Sequence, residues 1–161
     1  MLTWEEICDD PSLRNLPYKI EQDRWGRIVM SPTKSDHSEY QGEIAARLRP
    51  LLPTWSILVE CAIATPEGTK VADVAAMTRA RRLPHRGASS LPVAPEICVE
   101  VKSWSNTGDE LEEKRRLYAE KCCLEFWLCA EDGQMTFQRA ATGEKLLRSE
   151  VCPDFPARLL L

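Results

Sequence analysis

Two short runs carry the residues best suited to chemistry, Val71-Ala72-Asp73-Val74 and Pro95-Glu96-Ile97-Cys98-Val99-Glu100-Val101-Lys102. Each is an apolar stretch interrupted by charge, as expected of a buried strand whose end carries function. Side chains alternate faces along a strand, so Glu100 and Lys102 point one way while Val99 and Val101 point the other. If the Val71 to Met77 segment pairs beside this strand, Asp73 joins them in a cluster of two carboxylates and one ammonium. Two carboxylates near an apolar sheet repel each other and lose hydration, which pushes at least one toward its neutral form. A divalent cation removes that conflict. Mg²⁺ prefers oxygen ligands, keeps several waters, and commonly binds one or two carboxylates together with substrate phosphate. Lys102 then stands where it can orient or deprotonate a metal-adjacent water, or balance charge on a phosphate.

The elements that must position these groups follow from periodicity and turn chemistry. Tyr18 to Gln22 and Arg27 to Met30 flank Asp23-Arg24-Trp25-Gly26 and predict a hairpin. A helix capped near Ser35 or Asp36 runs through His37 to Leu52, with Tyr40, Ile44, Ala45, Leu48, Leu51 and Leu52 at helical spacing and Pro53 ending it. Ser56 to Ala64 and Val71 to Met77 form a second hairpin around Pro66-Glu67-Gly68. Glu60 lies within the first of these strands, where an unpaired carboxylate is costly, so it either faces solvent or joins the acidic cluster. Residues 78 to 94 read as a loop carrying Arg79, Arg81, Arg82 and Arg86, the one strongly basic stretch of an acidic protein. It links the two strands that bear the acids, and two readings stay open: arginines that hold a DNA backbone beside the site, or a solvated loop.

After Lys102 a turn leads to a helix over Asp109 to Lys121, acids first and bases later as the helix dipole favours. Leu124 to Cys129 and Met135 to Arg139 then form strands around Glu131-Asp132-Gly133-Gln134. Leu146-Leu147 and Leu159 to Leu161 read as an apolar tail packed as a short edge strand, its pairing limited by Pro153 and Pro156.

An Asp followed by Glu-x-Lys resembles the PD-(D/E)xK nucleases, the superfamily of restriction-endonuclease-like folds. The order Tyr18 to Pro32, His37 to Leu52, Asp73, Pro95 to Lys102, Glu113 to Tyr118 and Leu124 to Leu128 is similar to the bacterial family described as "putative restriction endonuclease". The likeness spans nearly the whole chain. One departure is Ala72, where that family usually has Pro; the Pro shapes backbone and is not a ligand. The resemblance implies an α/β (α+β) fold with a central mixed sheet flanked by helices, and a Mg²⁺- or Mn²⁺-dependent endonuclease hydrolysing phosphodiester bonds of DNA. It implies that Asp73 and Glu100 bind the metal, that the Val101 carbonyl adds a ligand, and that Lys102 assists the attacking water. His37 matches a His at the start of the family's first helix, where a cap and a phosphate contact are both open readings. Glu43 matches an extra acid some superfamily members carry on this helix, against an ordinary surface role. Lys114 and Tyr118 match a K-x-x-x-Y pattern; Lys114 either reaches the site or belongs to a salt-bridged face, and Tyr118 reads as core packing.

Composition bounds the alternatives. With 161 residues the chain fits a single domain, residues 1–161, able to bury a sizeable core. No apolar run is long enough to span a bilayer, and the acidic amino terminus does not read as a targeting segment, so the expected compartment is the cytoplasm. The seven cysteines form no C-x-x-C pair and no zinc spacing, and read as small core residues, with Cys122-Cys123 open to redox chemistry. A net charge of -4 argues against binding nucleic acid over the whole surface, while leaving room for a local basic patch. Two competing functions remain: a nucleic-acid-binding or regulatory protein that keeps the fold without hydrolysis, and a structural partner acting through exposed Trp4, Trp55 or Trp104. A homodimer would let two single-strand cuts make a double-strand break.

Overall fold

The computed structural model describes residues 1–161. The first hairpin forms as β1 (Tyr18–Gln22) and β2 (Ile28–Pro32), paired antiparallel. Its turn is set by Asp23, whose Oδ1 accepts the backbone N–H groups of Trp25 and Arg27, and by Gly26 at φ +77. The helix α2 (Ser35–Leu51) buries Tyr40, Ile44 and Leu48, one stripe at i, i+4, i+8. Pro50 is carried in its last turn.

The long strands β3 (Trp55–Thr65) and β4 (Gly68–Thr78) form the second hairpin, and β5 (Ile97–Val101) pairs antiparallel with β4. The helix α4 (Gly108–Glu120) is fixed at its start by a reciprocal cap. Thr107 Oγ1 accepts the Glu110 N–H, and the Glu110 carboxylate accepts the Thr107 N–H. β6 (Glu125–Cys129) then lies parallel to β5, a pairing that needs a crossover of a dozen or more residues, which α4 supplies. β7 (Met135–Arg139) and β8 (Lys145–Leu146) complete a six-stranded mixed sheet in the order β3-β4-β5-β6-β7-β8, an α+β arrangement with helices on the sheet.

Strand alternation divides the core. Val74, Ala76, Ile97, Val99, Val101 and Trp127 pack with α2 and with Cys152, Phe155 and Leu159. Ala75, Met77, Cys98 and Phe126 pack with Tyr118 of α4. Every residue of β5 is buried, Glu100 included. A buried carboxylate is costly without partners, which directs attention to what surrounds it.

Three segments depart from the sequence reading. A short helix α1 (Trp4–Asp9) opens the chain on a Thr3/Glu6 capping box. The basic segment is not wholly irregular: Arg79–Arg82 forms a helical turn, α3, and Leu83–His85 a 3-10 turn. Of the tail, Leu146 does form a short edge strand, β8, with Lys145, but residues 159–161 do not join it. Leu159 is buried and its N–H donates to the Gly133 carbonyl, while Leu160 and Leu161 are exposed, because Pro153 and Pro156 supply no N–H for a ladder. All seven cysteines are free; Cys122 is exposed and Cys123 buried. No helix is long and apolar enough to cross a membrane.

Candidate active site

The expected pairing of the acid-bearing strands forms, and its last rungs are missing. The β4–β5 ladder stops at Val74↔Val99, and the β3–β4 ladder skips the opposed residues Glu60 and Asp73 between Val59↔Val74 and Cys61↔Ala72. Asp73 therefore sits at a gap on both sides of its strand. Glu60 lies at that gap with φ +54, a left-handed conformation costly for a residue with a Cβ.

Side chains take up the backbone groups at this gap. Asp73 Oδ2 accepts the Val101 N–H at 2.7 Å, Glu21 Oε1 accepts the Val71 N–H at 2.7 Å, and Gln41 Nε2 donates to the Asp73 carbonyl at 2.8 Å. Buried backbone polar groups are almost always paired, so these three side chains are structural as well as chemical.

The carboxylates converge on ammonium groups. Lys19 Nζ lies 2.8 Å from Asp73 Oδ1 and 3.3 Å from Glu100 Oε2. Lys114 Nζ lies 3.2 Å from Glu100 Oε2 and 2.7 Å from Glu21 Oε1. The Tyr118 hydroxyl donates to Glu100 Oε1 at 2.9 Å. His37 Nε2 is 3.2 Å from Asp73 Oδ1, and its Nδ1 is buried without a partner. Asp73 is 1% exposed and Glu100 3%. A cavity of about 240 Å³ opens onto the cluster, lined by Lys19, Glu21, His37, Asp73, Glu100 and Lys114 among others.

Three carboxylates thus face two ammonium groups, and the imbalance separates the acids. Burial pushes the Asp73 carboxyl up, but Lys19, His37 and Lys114 outweigh it and hold Asp73 below the usual carboxylate range. Burial raises Glu100 above its ordinary value, against the pull of Lys114 and Lys19 and with Asp73 and Glu21 adding to the rise. Burial likewise opposes Glu21, which Lys114 and Lys19 hold lowered. Burial works against the charged Lys19, yet Glu100, Asp73 and Glu21 raise it well above its normal value. Asp73 is thus held in its charged form more firmly than an ordinary carboxylate, and Glu100 less firmly.

The structure brings Asp73 and Glu100 together through the strand pairing expected, adds His37 and Lys114, for which the sequence also allows a surface role, and places several other residues elsewhere. Lys102 lies one residue beyond β5, exposed, and lines a neighbouring cavity with Trp104 instead of the acidic one. The ammonium expected there comes from Lys19. Glu43 pairs with Arg47 one turn along α2 at 2.6 Å and does not reach the cluster. Glu60 stays exposed and accepts from Gln41 Nε2 at 2.5 Å, so it touches the site only through that amide. The arginines follow the far end of β4, about 20 Å along the strand from Asp73 at ~3.3 Å per residue, not beside the acids. Arg81 is occupied in holding carbonyls of Ala94 and Cys122. Arg79, Arg82 and Arg86 line an open groove with Arg49 and Trp55 and no carboxylate among the lining residues.

Lys19, Glu21 and Gln41 were missed. For the first two a signal existed: charges at i and i+2 share one face of a strand. For Tyr118, the i+4 spacing from Lys114 places both on one helix face, and the hydroxyl is what distinguishes it from core packing.

The donor set suits a hard cation. Oxygens of Asp73 and Glu100 both lie within 3.3 Å of a single cationic centre, the Lys19 ammonium. No group of three His, Cys, Asp or Glu side chains gathers as a metal site, and two carboxylates are what the protein brings to that point. That is the partial coordination Mg²⁺ commonly accepts.

The same architecture occurs in a crystal structure described as a putative nuclease belonging to DUF820 from Anabaena variabilis. It superposes with a TM-score of 0.71 over 93% of this chain and 86% of that one, at 16% sequence identity, a likeness of fold. No curated protein matches the sequence. The family model Uma2, described as "Putative restriction endonuclease", matches residues 5–158, and the chain belongs to that family.

Proposed function

We propose that the protein is a divalent-metal-dependent endonuclease that hydrolyses phosphodiester bonds of DNA. The observation that carries this reading is the convergence of Asp73 Oδ1 and Glu100 Oε2 on one cationic point. Asp73 and Glu100, with the Val101 carbonyl, would hold Mg²⁺ or Mn²⁺. Bound there, the ion supplies stabilisation of charge building on the scissile phosphate and leaving oxygen, and acidifies an adjacent water. Lys19 and Lys114 present ammonium groups to the same cavity, where they balance phosphate charge and orient the attacking water; in this reading they take the part expected of Lys102. Glu21 holds Lys114 in place at 2.7 Å. His37, with a buried unpartnered nitrogen, has a hydrogen bond left to give or accept. The acid-free groove of Arg49, Arg79, Arg82 and Arg86 suits a DNA backbone passing the end of the sheet remote from the acids.

Calorimetric titration of Mn²⁺ and Mg²⁺ into the protein and into Asp73→Ala, followed by incubation of each with supercoiled plasmid, tests the reading. Metal binding and nicking by the parent alone are expected. No metal binding by the parent at millimolar concentration would overturn it. A second reading, DNA binding without hydrolysis, is favoured by one observation: Lys19 already neutralises the acid pair from within the fold. Metal-independent plasmid binding without nicking would select it.

A further inference from the structure

Beside the acidic cavity lies a second one, of about 300 Å³, and the two share His37, Val101 and Ser103 as a common wall. Its outer side is Trp104, 64% exposed. Lys34 Nζ stands over the Trp104 ring, 5.7 Å from its centre, and Lys102 lines the same cavity, so two cations share it with an aromatic ring. Neither lysine forms a salt bridge. Asp36, Tyr40 and Glu131 complete the lining. The indole belongs to neither core cluster.

The mixed lining discriminates between occupants. A phosphate in this cavity would meet Asp36 and Glu131, whereas a nucleobase is neutral, has a π-face for Trp104, and carries N–H groups that carboxylates accept. We infer that this cavity is a nucleobase subsite, in which a base next to the scissile phosphate stacks on Trp104 while Lys34 and Lys102 hold flanking phosphates. The inference rests on the nuclease reading and names its substrate class. A base can reach the indole only when it has left the duplex stack, so the preferred substrate is a single strand or an unpaired stretch. Lys102 thereby has a role beside the acids, not among them.

The test is fluorescence anisotropy of labelled oligonucleotides with the full-length protein in metal-free buffer, where binding is read without hydrolysis. The probes are a single strand, its duplex, and a single strand of the same length with abasic sites. The parent is expected to bind the single strand about tenfold more tightly than the abasic strand, the scale of one stacked base. Trp104→Ala should lose that preference and Trp104→Phe keep most of it, with circular-dichroism melts confirming that both remain folded. Equal affinity of the parent for single and abasic strands, tighter binding to the duplex than to the single strand, or an unchanged preference in Trp104→Ala would overturn the inference and leave the nuclease reading standing. Absence of binding to all three probes would also overturn the inference, while the nuclease reading stands or falls on metal binding and plasmid nicking.

Discussion

Replacing Lys19 with Met keeps the aliphatic stem packed in the hairpin and removes the one ammonium that touches both Asp73 and Glu100. The Lys19 side chain is 9% exposed and its partners less, so the charges left behind have little access to water. Breaking a buried ion pair by deleting one partner costs about 3–5 kcal/mol, and the two partners here place the expected loss in that range at neutral pH. In a domain of this size that corresponds to a Tm lowered by about 10 °C.

The pH dependence carries the mechanism. In the parent Asp73 is held below its unfolded value, so its contribution is present above the unfolded carboxylate range and lost as pH falls. Glu100 is raised, so its ionisation destabilises the fold as pH rises through its folded value. Removing Lys19 takes away the largest influence lowering Asp73 and one of two lowering Glu100. Both acids then move up, so on acidification from neutral pH toward the ordinary carboxylate range the variant should gain more stability than the parent does. Because the competing ammonium is gone, Mn²⁺ should bind the variant more tightly and restore part of the lost stability. Urea denaturation across that pH range, with and without Mn²⁺, reads all of this. A loss below about 0.5 kcal/mol, typical of a surface substitution, or a loss independent of pH would refute the argument that Lys19 neutralises the acid pair.

Other residues make separate predictions. Tyr118→Phe deletes the hydroxyl on Glu100 Oε1 and should cost about 1.5–3 kcal/mol in urea denaturation, the value of a hydrogen bond to a charged group. Glu60→Asn replaces a residue at φ +54 with one that tolerates the left-handed region; it should raise Tm by a few degrees, on the order of 1 kcal/mol, and leave Mn²⁺ affinity unchanged by calorimetry. Glu125→Gln tests a buried carboxylate outside the site. Its oxygens accept from Trp127 Nε1, Ser149 Oγ and the N–H groups of Glu150 and Val151, so an amide there turns an NH₂ toward donors and should cost about 3 kcal/mol without altering metal binding.

What the sequence made legible follows from the range of the signals. Hairpin turns and the α2 stripe are local, and each formed where its residues stand. Asp73 and Glu100 were legible because a charge inside an apolar strand is improbable without a purpose, and pairing of consecutive acid-bearing segments brings them together. Lys102 was misplaced by an argument sound for a regular strand: Glu100 and Lys102 share a face only while the strand continues. β5 ends at Val101; the Lys102 N–H still donates to the Cys129 carbonyl, but the chain turns over Trp104 and Ser105 and the Lys102 side chain lies exposed, lining the neighbouring cavity.

The ammonium that fills the position comes from 54 residues before Asp73, on a hairpin outside the main sheet. No local pattern announces such a partner, but electrostatics does supply a constraint. A buried pair of carboxylates demands positive charge, so the question a sequence can pose is which cation answers, and the candidates are the basic residues on strand faces: Lys19 beside Glu21 as well as Lys102 beside Glu100. Choosing between them required knowing where β5 ends and where the β4–β5 ladder opens. That opening is what admits the first hairpin to the acids, since Glu21 accepts the Val71 N–H there and Lys19, two residues away on the same strand face, is carried to Asp73.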